Sequence, residues 1–245
     1  MQLTKFIKPK SLKKNHHNFC PGCGHGIIHR VVAEIIDELN IREKTIAVAP
    51  VGCAVFAYDY WDFDVTEAPH GRPPAVATGI KRVLPDRIVF TYQGDGDLAA
   101  IGTAEIIHAA NRSENITVIF VNNTVYGMTS GQMAPTTLVG QKTLTTPYGR
   151  EVFRDGYPLK VSELLAVLDG TKFIARGSVT DPKNITITKS YIKKAFINQI
   201  ENKGFSFVEV LSMCPTGLHL EPLEAKNWVE KELTKFFPLG VIKDV

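Results

Sequence analysis

The stretch RIVFTYQGDGDLAAIGTAEIIHAA, residues 87–110, decides the architecture. Its opening residues 87–92 form an apolar, β-branched and aromatic run with no polar alternation, so they read as a strand buried on both faces. Residues 100–111 space their apolar side chains at helical intervals. Between strand and helix stands Gly94-Asp95-Gly96-Asp97. The same alternation recurs along the chain. Residues 45–49 (TIAVA), 116–121, 172–175 and 206–211 read as further buried strands, and 25–39, 73–84 and 186–202 as helices. This order predicts an α/β fold, a mostly parallel sheet with helices on both faces.

No repeat, low-complexity tract or linker divides the 245 residues, a length that suits one large α/β domain. We expect that domain over 1–220. Residues 221–245 then form a C-terminal helix (221–235) and an apolar PLGVIKDV tail packed on a partner or on the domain. Residues 127–160 differ, being rich in Gly, Thr and Pro with little periodicity; a loop of that length is usually functional or disordered.

Composition narrows the function. The chain is 44% hydrophobic and 22% charged with net charge +3, ordinary for a globular protein. Acidic and basic residues interleave, and the Lys-rich start (Lys5, Lys8, Lys10, Lys13, Lys14) reads as a solvated arm, so a nucleic-acid partner is not expected. No apolar run is long enough to span a bilayer and no signal peptide precedes the fold, which predicts a cytoplasmic protein with no membrane partner. In that compartment the four cysteines are reduced thiols or metal ligands.

Ligands of such sheets bind beyond the carboxyl ends of the strands. Three unusual segments fall there: VGC after the first strand, QGDGD after the second and NNTVYGM after the third. The glycines of GDGD let a diphosphate approach the backbone at a helix N-terminus, where free N–H groups favour anions. A carboxylate in that turn would repel phosphate unless a divalent cation stood between them. Asp95 therefore reads as a Mg²⁺ ligand, and Asn123, at the end of the next strand, as the place from which a second oxygen could reach the same ion. The plain alternative is a strand-to-helix turn capped by Asp97. No G-x-G-x-x-G occurs, which disfavours a dinucleotide site.

Cys20 and Cys23 form a C-x-x-C pair whose neighbours Gly22 and Gly24 permit a tight backbone. Cys53 and Cys214 each follow a strand, so all four can meet at one edge of the sheet. A Cys₄ site of zinc or of an iron–sulfur cluster fits; buried inert thiols remain the alternative, most plausibly for Cys53.

Taken together, GDG followed by NN resembles the thiamine diphosphate motif. CPGCGHG, VGCA, HGRPPAVATGIKR, GDGDLAAIGTAEIIHAA, NNTVYGMTSGQ and the late CP resemble, in order and over nearly the whole chain, the β subunit of 2-oxoacid:ferredoxin oxidoreductases, the 2-oxoisovalerate type being most similar. The resemblance implies a [4Fe–4S] cluster on Cys20, Cys23, Cys53 and Cys214, and Mg²⁺ on Asp95, Asn123 and the Val125 carbonyl. It further implies a cofactor lined by Gly52, Cys53, His70, Gly94, Gly96, Asp97, Gly127 and Met128. The implied reaction is oxidative decarboxylation of a 2-oxoacid, with the acyl group passed to coenzyme A and electrons to ferredoxin. The activating glutamate is expected on a partner α subunit, in a complex with γ and δ subunits as well. After Cys53, the aromatics Phe56, Tyr58, Tyr60 and Trp61, with no Lys or Arg before Arg72, suggest an apolar pocket for a branched-chain substrate, unless these rings are core. A 2-oxoglutarate- or pyruvate-specific member, a non-oxidative thiamine decarboxylase and a zinc-stabilised binding module are the rival readings.

Overall fold

The structure, a computed structural model, describes residues 7–245, so Lys5 of the basic start lies outside the described residues. Nine strands occur in it: β1 (Thr45–Ala49), β2 (Asp64–Glu67), β3 (Ile88–Gly94), β4 (Thr117–Asn122), β5 (Val125–Tyr126), β6 (Gln132–Met133), β7 (Thr171–Ser178), β8 (Phe205–Leu211) and β9 (Gly240–Asp244). The main helices are α1 (His25–Glu38), α2 (Ala57–Tyr60), α3 (Pro73–Val83), α4 (Thr103–Asn111), α5 (Val152–Asp155), α6 (Val161–Ala166), α7 (Pro182–Ile200), α8 (Pro215–Leu218), α9 (Pro222–Trp228) and α10 (Thr234–Phe236). Seven strands form one sheet in the order β2-β1-β3-β4-β8-β7-β9, with every pairing parallel except β7–β9. The expected α/β fold is present, and five of its strands are those read from the sequence.

Burial on both faces explains why these strands lack polar alternation. Ala47, Phe90, Ile119, Val121 and Val208 point to a layer containing α1 and α7. Their neighbours Val48, Val89, Val118, Phe120 and Phe207 point to a layer containing α3, α4 and α6. Apolar residues at 28, 31, 32, 35 and 36 give α1 its buried stripe. Helix α7 starts at Pro182 with Asp181 as its cap, the carboxylate accepting the Asn184 N–H at 3.0 Å. The longest helices thus lie where the spacing of apolar residues puts them.

Two edge strands escaped the sequence reading. DVTE in β2 is half-exposed and polar, and pairs only with β1. In β9 the PLGVIKDV tail adds antiparallel to β7, so this segment packs on the domain. Helical winding also begins about a turn earlier than expected, because Gly96–Ile101 form a π-helical turn that starts within GDGD and leads into α4. No described helix is long and apolar enough to cross a membrane.

One buried side chain gathers both limbs of the long loop. Arg150, 4% exposed, sends its guanidinium hydrogens to the carbonyls of Ala134, Pro135, Thr137, Asp155, Gly156 and Tyr157 at 2.6–3.4 Å. A buried cation without a carboxylate is tolerated here because six carbonyl dipoles replace its hydration.

Candidate active site

The carboxyl ends of β1, β3 and β4 are adjacent, and the three segments expected to converge do so. One crevice is lined by Gly52 and Cys53 after β1, by Gly94 to Asp97 after β3, and by Asn123, Val125, Gly127 and Met128 after β4. His70, from the turn ahead of α3, completes the set. Every residue expected to line the cofactor or bind Mg²⁺ is therefore in one place. His25, Ala54, Tyr126 and Thr129 also line it and were not foreseen. His25 stands two residues after Cys23 in CGHG, a pattern that could have flagged it.

Asp95 is 2% exposed. Its Oδ1 accepts the Gly96 N–H at 2.9 Å, and its Oδ2 accepts the Thr124 N–H and the Thr136 hydroxyl, both at 2.7 Å. Burial nevertheless pushes its pKa up to about 6, against the opposing pull of those hydrogen bonds. A buried carboxylate in that condition suits a divalent cation, which would remove the cost of its charge. Asn123 offers Oδ1, which now accepts the Val125 N–H at 3.1 Å. Between them Thr124 adopts φ +66°, a strained turn held by its hydroxyl donating to the Asn123 carbonyl at 2.7 Å. These oxygens could hold Mg²⁺.

Asp97 is not a simple helix cap. Its Oδ1 accepts the Gly71 N–H at 2.8 Å and its Oδ2 the Gln93 amide at 2.7 Å. His70 Nδ1 stands 2.5 Å from Oδ1, off the line of a hydrogen bond. The HGR turn is pressed onto the π-helical turn: a Cβ on Gly71 would stand 2.5 Å from the Gly102 nitrogen. Gly96 is required for a similar reason, because the Tyr126 ring occupies the space a Cβ would take.

The four cysteines gather beside this crevice. Gly22, at φ +75°, turns the C-x-x-C loop against Pro222, and Cys23 N–H donates to the Cys20 carbonyl at 3.0 Å. Cys20 is exposed, Cys23 and Cys53 half-buried and Cys214 buried. A Cβ placed on Gly127 would lie 3.0 Å from Cys214 Sγ and 3.7 Å from Cys53 Sγ. Burial pushes the Cys23 and Cys214 thiols up to about 12 and raises Cys53 too, each further raised by neighbouring cysteines. Against this, the His25 N–H donates to Cys23 and the Gly217 N–H to Cys214, bonds that favour thiolate. Mutually repelling thiols with N–H donors already aimed at them suit a cationic metal centre. Among the described residues no three His, Cys, Asp or Glu side chains close on a single metal ion.

The aromatic segment after Cys53 corrects one expectation. Trp61 is fully buried, stacked on His29 at 4.5 Å between ring centroids and donating Nε1–H to the His29 carbonyl at 3.1 Å. Tyr60 is buried against Phe19 and His29. Neither these rings nor Phe56 and Tyr58 line the crevice. Tyr60 and Trp61 serve as core behind the Cys53 turn, while Phe56 is half-buried and Tyr58 exposed.

A crevice with a buried carboxylate and an asparagine at adjacent strand ends suits a diphosphate and a divalent cation. The family described as Thiamine pyrophosphate enzyme, C-terminal TPP binding domain, matches residues 51–210, and the chain belongs to it. Within that family it groups with subunits of 2-oxoacid:ferredoxin oxidoreductases. It is 52% identical over 227 residues to the ketoisovalerate oxidoreductase subunit VorA of Methanothermobacter thermautotrophicus, covering 93% of this chain and 48% of the relative. It is 44% identical to the 2-oxoglutarate synthase subunit KorB of Methanocaldococcus jannaschii, covering 82% of this chain and 70% of that one. The solved 2-oxoglutarate:ferredoxin oxidoreductase of Magnetococcus marinus, with 2-oxoglutarate, coenzyme A and succinyl-CoA bound, superposes with a TM-score of 0.78 at 26% identity. That match covers 98% of this chain and 86% of the other. The chain spans about half the length of the VorA relatives.

Proposed function

We propose that this chain is the thiamine-diphosphate subunit of a complex that oxidatively decarboxylates a 2-oxoacid to its acyl-CoA, passing electrons to ferredoxin. The observation that carries the proposal is the position of Gly127. It lines the cofactor crevice, and the sulfurs of Cys53 and Cys214 lie against it. An electron acceptor held by Cys20, Cys23, Cys53 and Cys214 would therefore adjoin the cofactor.

When bound, thiamine diphosphate supplies an electron sink for loss of CO₂, and a [4Fe–4S] cluster takes electrons singly. The protein's own contributions are positional. Asp95, Asn123 and the Val125 carbonyl would hold Mg²⁺, which would offset the charge of a diphosphate. Gly94 and Gly96 keep the backbone open for it, and His70, fixed beside Asp97, faces the same crevice. Gly52, Asp97 and Met128 complete the walls.

A branched-chain substrate such as 2-oxoisovalerate is favoured. Among the described residues no Lys or Arg lines the crevice to meet a second carboxylate, while Val51, Ala54 and Met128 offer apolar surface. The identity to VorA points the same way. A partner α subunit, with γ and δ subunits, is part of the proposal. Tyr148, Phe153 and Tyr157 on the long loop are exposed to 92%, 106% and 76%, and large exposed apolar groups of this kind mark protein contacts.

The test is metal analysis of anaerobically purified protein, with and without Cys20→Ser. About four irons and four sulfides per chain, lost in the variant, are expected. One zinc without sulfide would defeat the electron-transfer reading. Assay of the complex should then rank 2-oxoisovalerate above pyruvate and 2-oxoglutarate.

A further inference from the structure

We infer that Asn122, held by the buried Glu209, is the positioning residue that sets the turn carrying Asn123 and Val125 for a Mg²⁺-bound diphosphate. The inference deepens the proposed function and rests on it.

Three neighbouring strands each place one polar side chain on a face that is otherwise apolar. Val118 and Phe120 precede Asn122 on that face of β4, Phe207 precedes Glu209 on β8, and Ile174 precedes Arg176 on β7. Asn122, Glu209 and Arg176 are all buried, none more than 1% exposed. Arg176 Nε donates to Glu209 Oε2 at 2.8 Å, and Ser162 of α6 gives its hydroxyl hydrogen to the same oxygen. A charge pair this deep gains little over apolar side chains of similar volume, because desolvation offsets the attraction. Its use lies in what it holds.

The other oxygen of Glu209 holds Asn122. Oε1 accepts the Asn122 amide at 2.8 Å, a bond that only Nδ2 can make, so the carboxylate fixes which way the amide faces. Oδ1 is thereby left to accept the Thr124 N–H at 3.2 Å. The Asn122 carbonyl is fixed as well, accepting the Ser212 N–H at 3.0 Å. A carboxylate on β8, an amide at the end of β4 and the backbone of the next turn form one file of hydrogen bonds.

Thr124 is where that file meets the site. It stands between Asn123 and Val125 at φ +66°, a costly conformation for a β-branched residue, so neighbouring bonds must hold it. Its N–H is shared between Asn122 Oδ1 and Asp95 Oδ2, the latter at 2.7 Å. If Asp95 shares its charge with a cation, its hold on that N–H weakens, and Asn122 is the acceptor that remains. The clamped amide therefore keeps the strained turn in place while Asp95 serves the ion.

The experiment measures thiamine diphosphate binding by calorimetry as Mg²⁺ is varied, on the assembled complex first stripped of both, with thermal unfolding to confirm that each variant is folded. Two double variants remove the buried charge pair. Arg176→Met with Glu209→Gln keeps an oxygen for the Asn122 amide, whereas Arg176→Met with Glu209→Met keeps the volume and loses the oxygen. The Gln pair should need the same Mg²⁺ concentration as the unaltered complex, and the Met pair at least about ten-fold more. Asn122→Ala leaves the charge pair intact; it should match the Met pair, and it stands in should that pair fail to fold. Ser162→Ala takes a bond from the other oxygen of Glu209 and should leave the Mg²⁺ requirement unchanged. The same requirement in the Gln and Met pairs, an Asn122→Ala complex that binds like the unaltered one, or an equal loss in Ser162→Ala would overturn the inference. An unaltered complex that binds no thiamine diphosphate at any Mg²⁺ concentration would overturn the functional proposal beneath it, a distinguishable result.

Discussion

At the scale of single residues, Asp95 shows how the site can exist before its ion arrives. Its two oxygens accept three hydrogen bonds from three different segments. Those bonds hold the turns together, yet burial still makes its charge costly, and the pKa rises to about 6. The sign follows from linkage. A carboxyl whose folded pKa lies above its unfolded value of 3.8 contributes most below that value, and stability is lost as pH rises through about 6. We expect ion-free protein to lose on the order of 2 kcal/mol from this group between pH 4 and pH 7. Asp95→Asn should remove that slope, while Mg²⁺ with thiamine diphosphate should reverse it in the unaltered protein. Denaturation across pH checks both; a slope surviving in the variant would assign it to another group.

The residue-level site was largely legible because its chemistry is written in contiguous short motifs at strand ends. GDGD, NN and VGC each follow a run that could only be a buried strand. Tyr126 was not legible, because its place in the crevice depends on how the short β5–β6 hairpin packs, and His25 was signalled only by its position in CGHG. The aromatics after Cys53 misled for a related reason. Period and polarity could not distinguish rings that wall a pocket from rings that fill a core.

Elements show the same division. Strands buried on both faces announce themselves, whereas β2 and β9 are edges defined by their partners. One helix contributes a contact no pattern could reveal. Near the end of α7, the fully buried Gln199 accepts the Val89 N–H at 2.6 Å and donates to the Val89 carbonyl at 2.8 Å and the Thr117 hydroxyl at 3.0 Å. It acts as a substitute strand at the base of the β3–β4 pair. Gln199→Ala should cost about 2–3 kcal/mol, since it orphans two buried backbone groups and leaves a cavity. Urea unfolding measures this, and a change below about 0.5 kcal/mol would mean that water replaces the amide.

Across the whole molecule, the sheet is closed on one side by its own C-terminus. Strand β9 covers β7, and the Pro238 carbonyl accepts from Arg176 at 3.1 Å. Arg176 is itself buried and paired with Glu209 at 2.8 Å and Glu163 at 2.6 Å. Glu209 also accepts from Asn122 at 2.8 Å, so the tail communicates with the NN turn through one connected polar network. Removing residues 238–245 should lower Tm by several degrees and bare an apolar strand edge that promotes association. Calorimetry and light scattering would register both. A variant as stable and monodisperse as the full chain would show the tail to be dispensable.

Arg150 gives the long loop its central fastening. Thr136, Thr137 and Gln141 of that loop bond Asp95 and Thr124 at the crevice wall. Six carbonyls from both ends of the segment converge on the same guanidinium, so no part of it can peel away while the rest stays docked. Loosening of that guanidinium therefore frees both sets of carbonyls together, and the loop is expected to exchange its amide hydrogens as one cooperative unit.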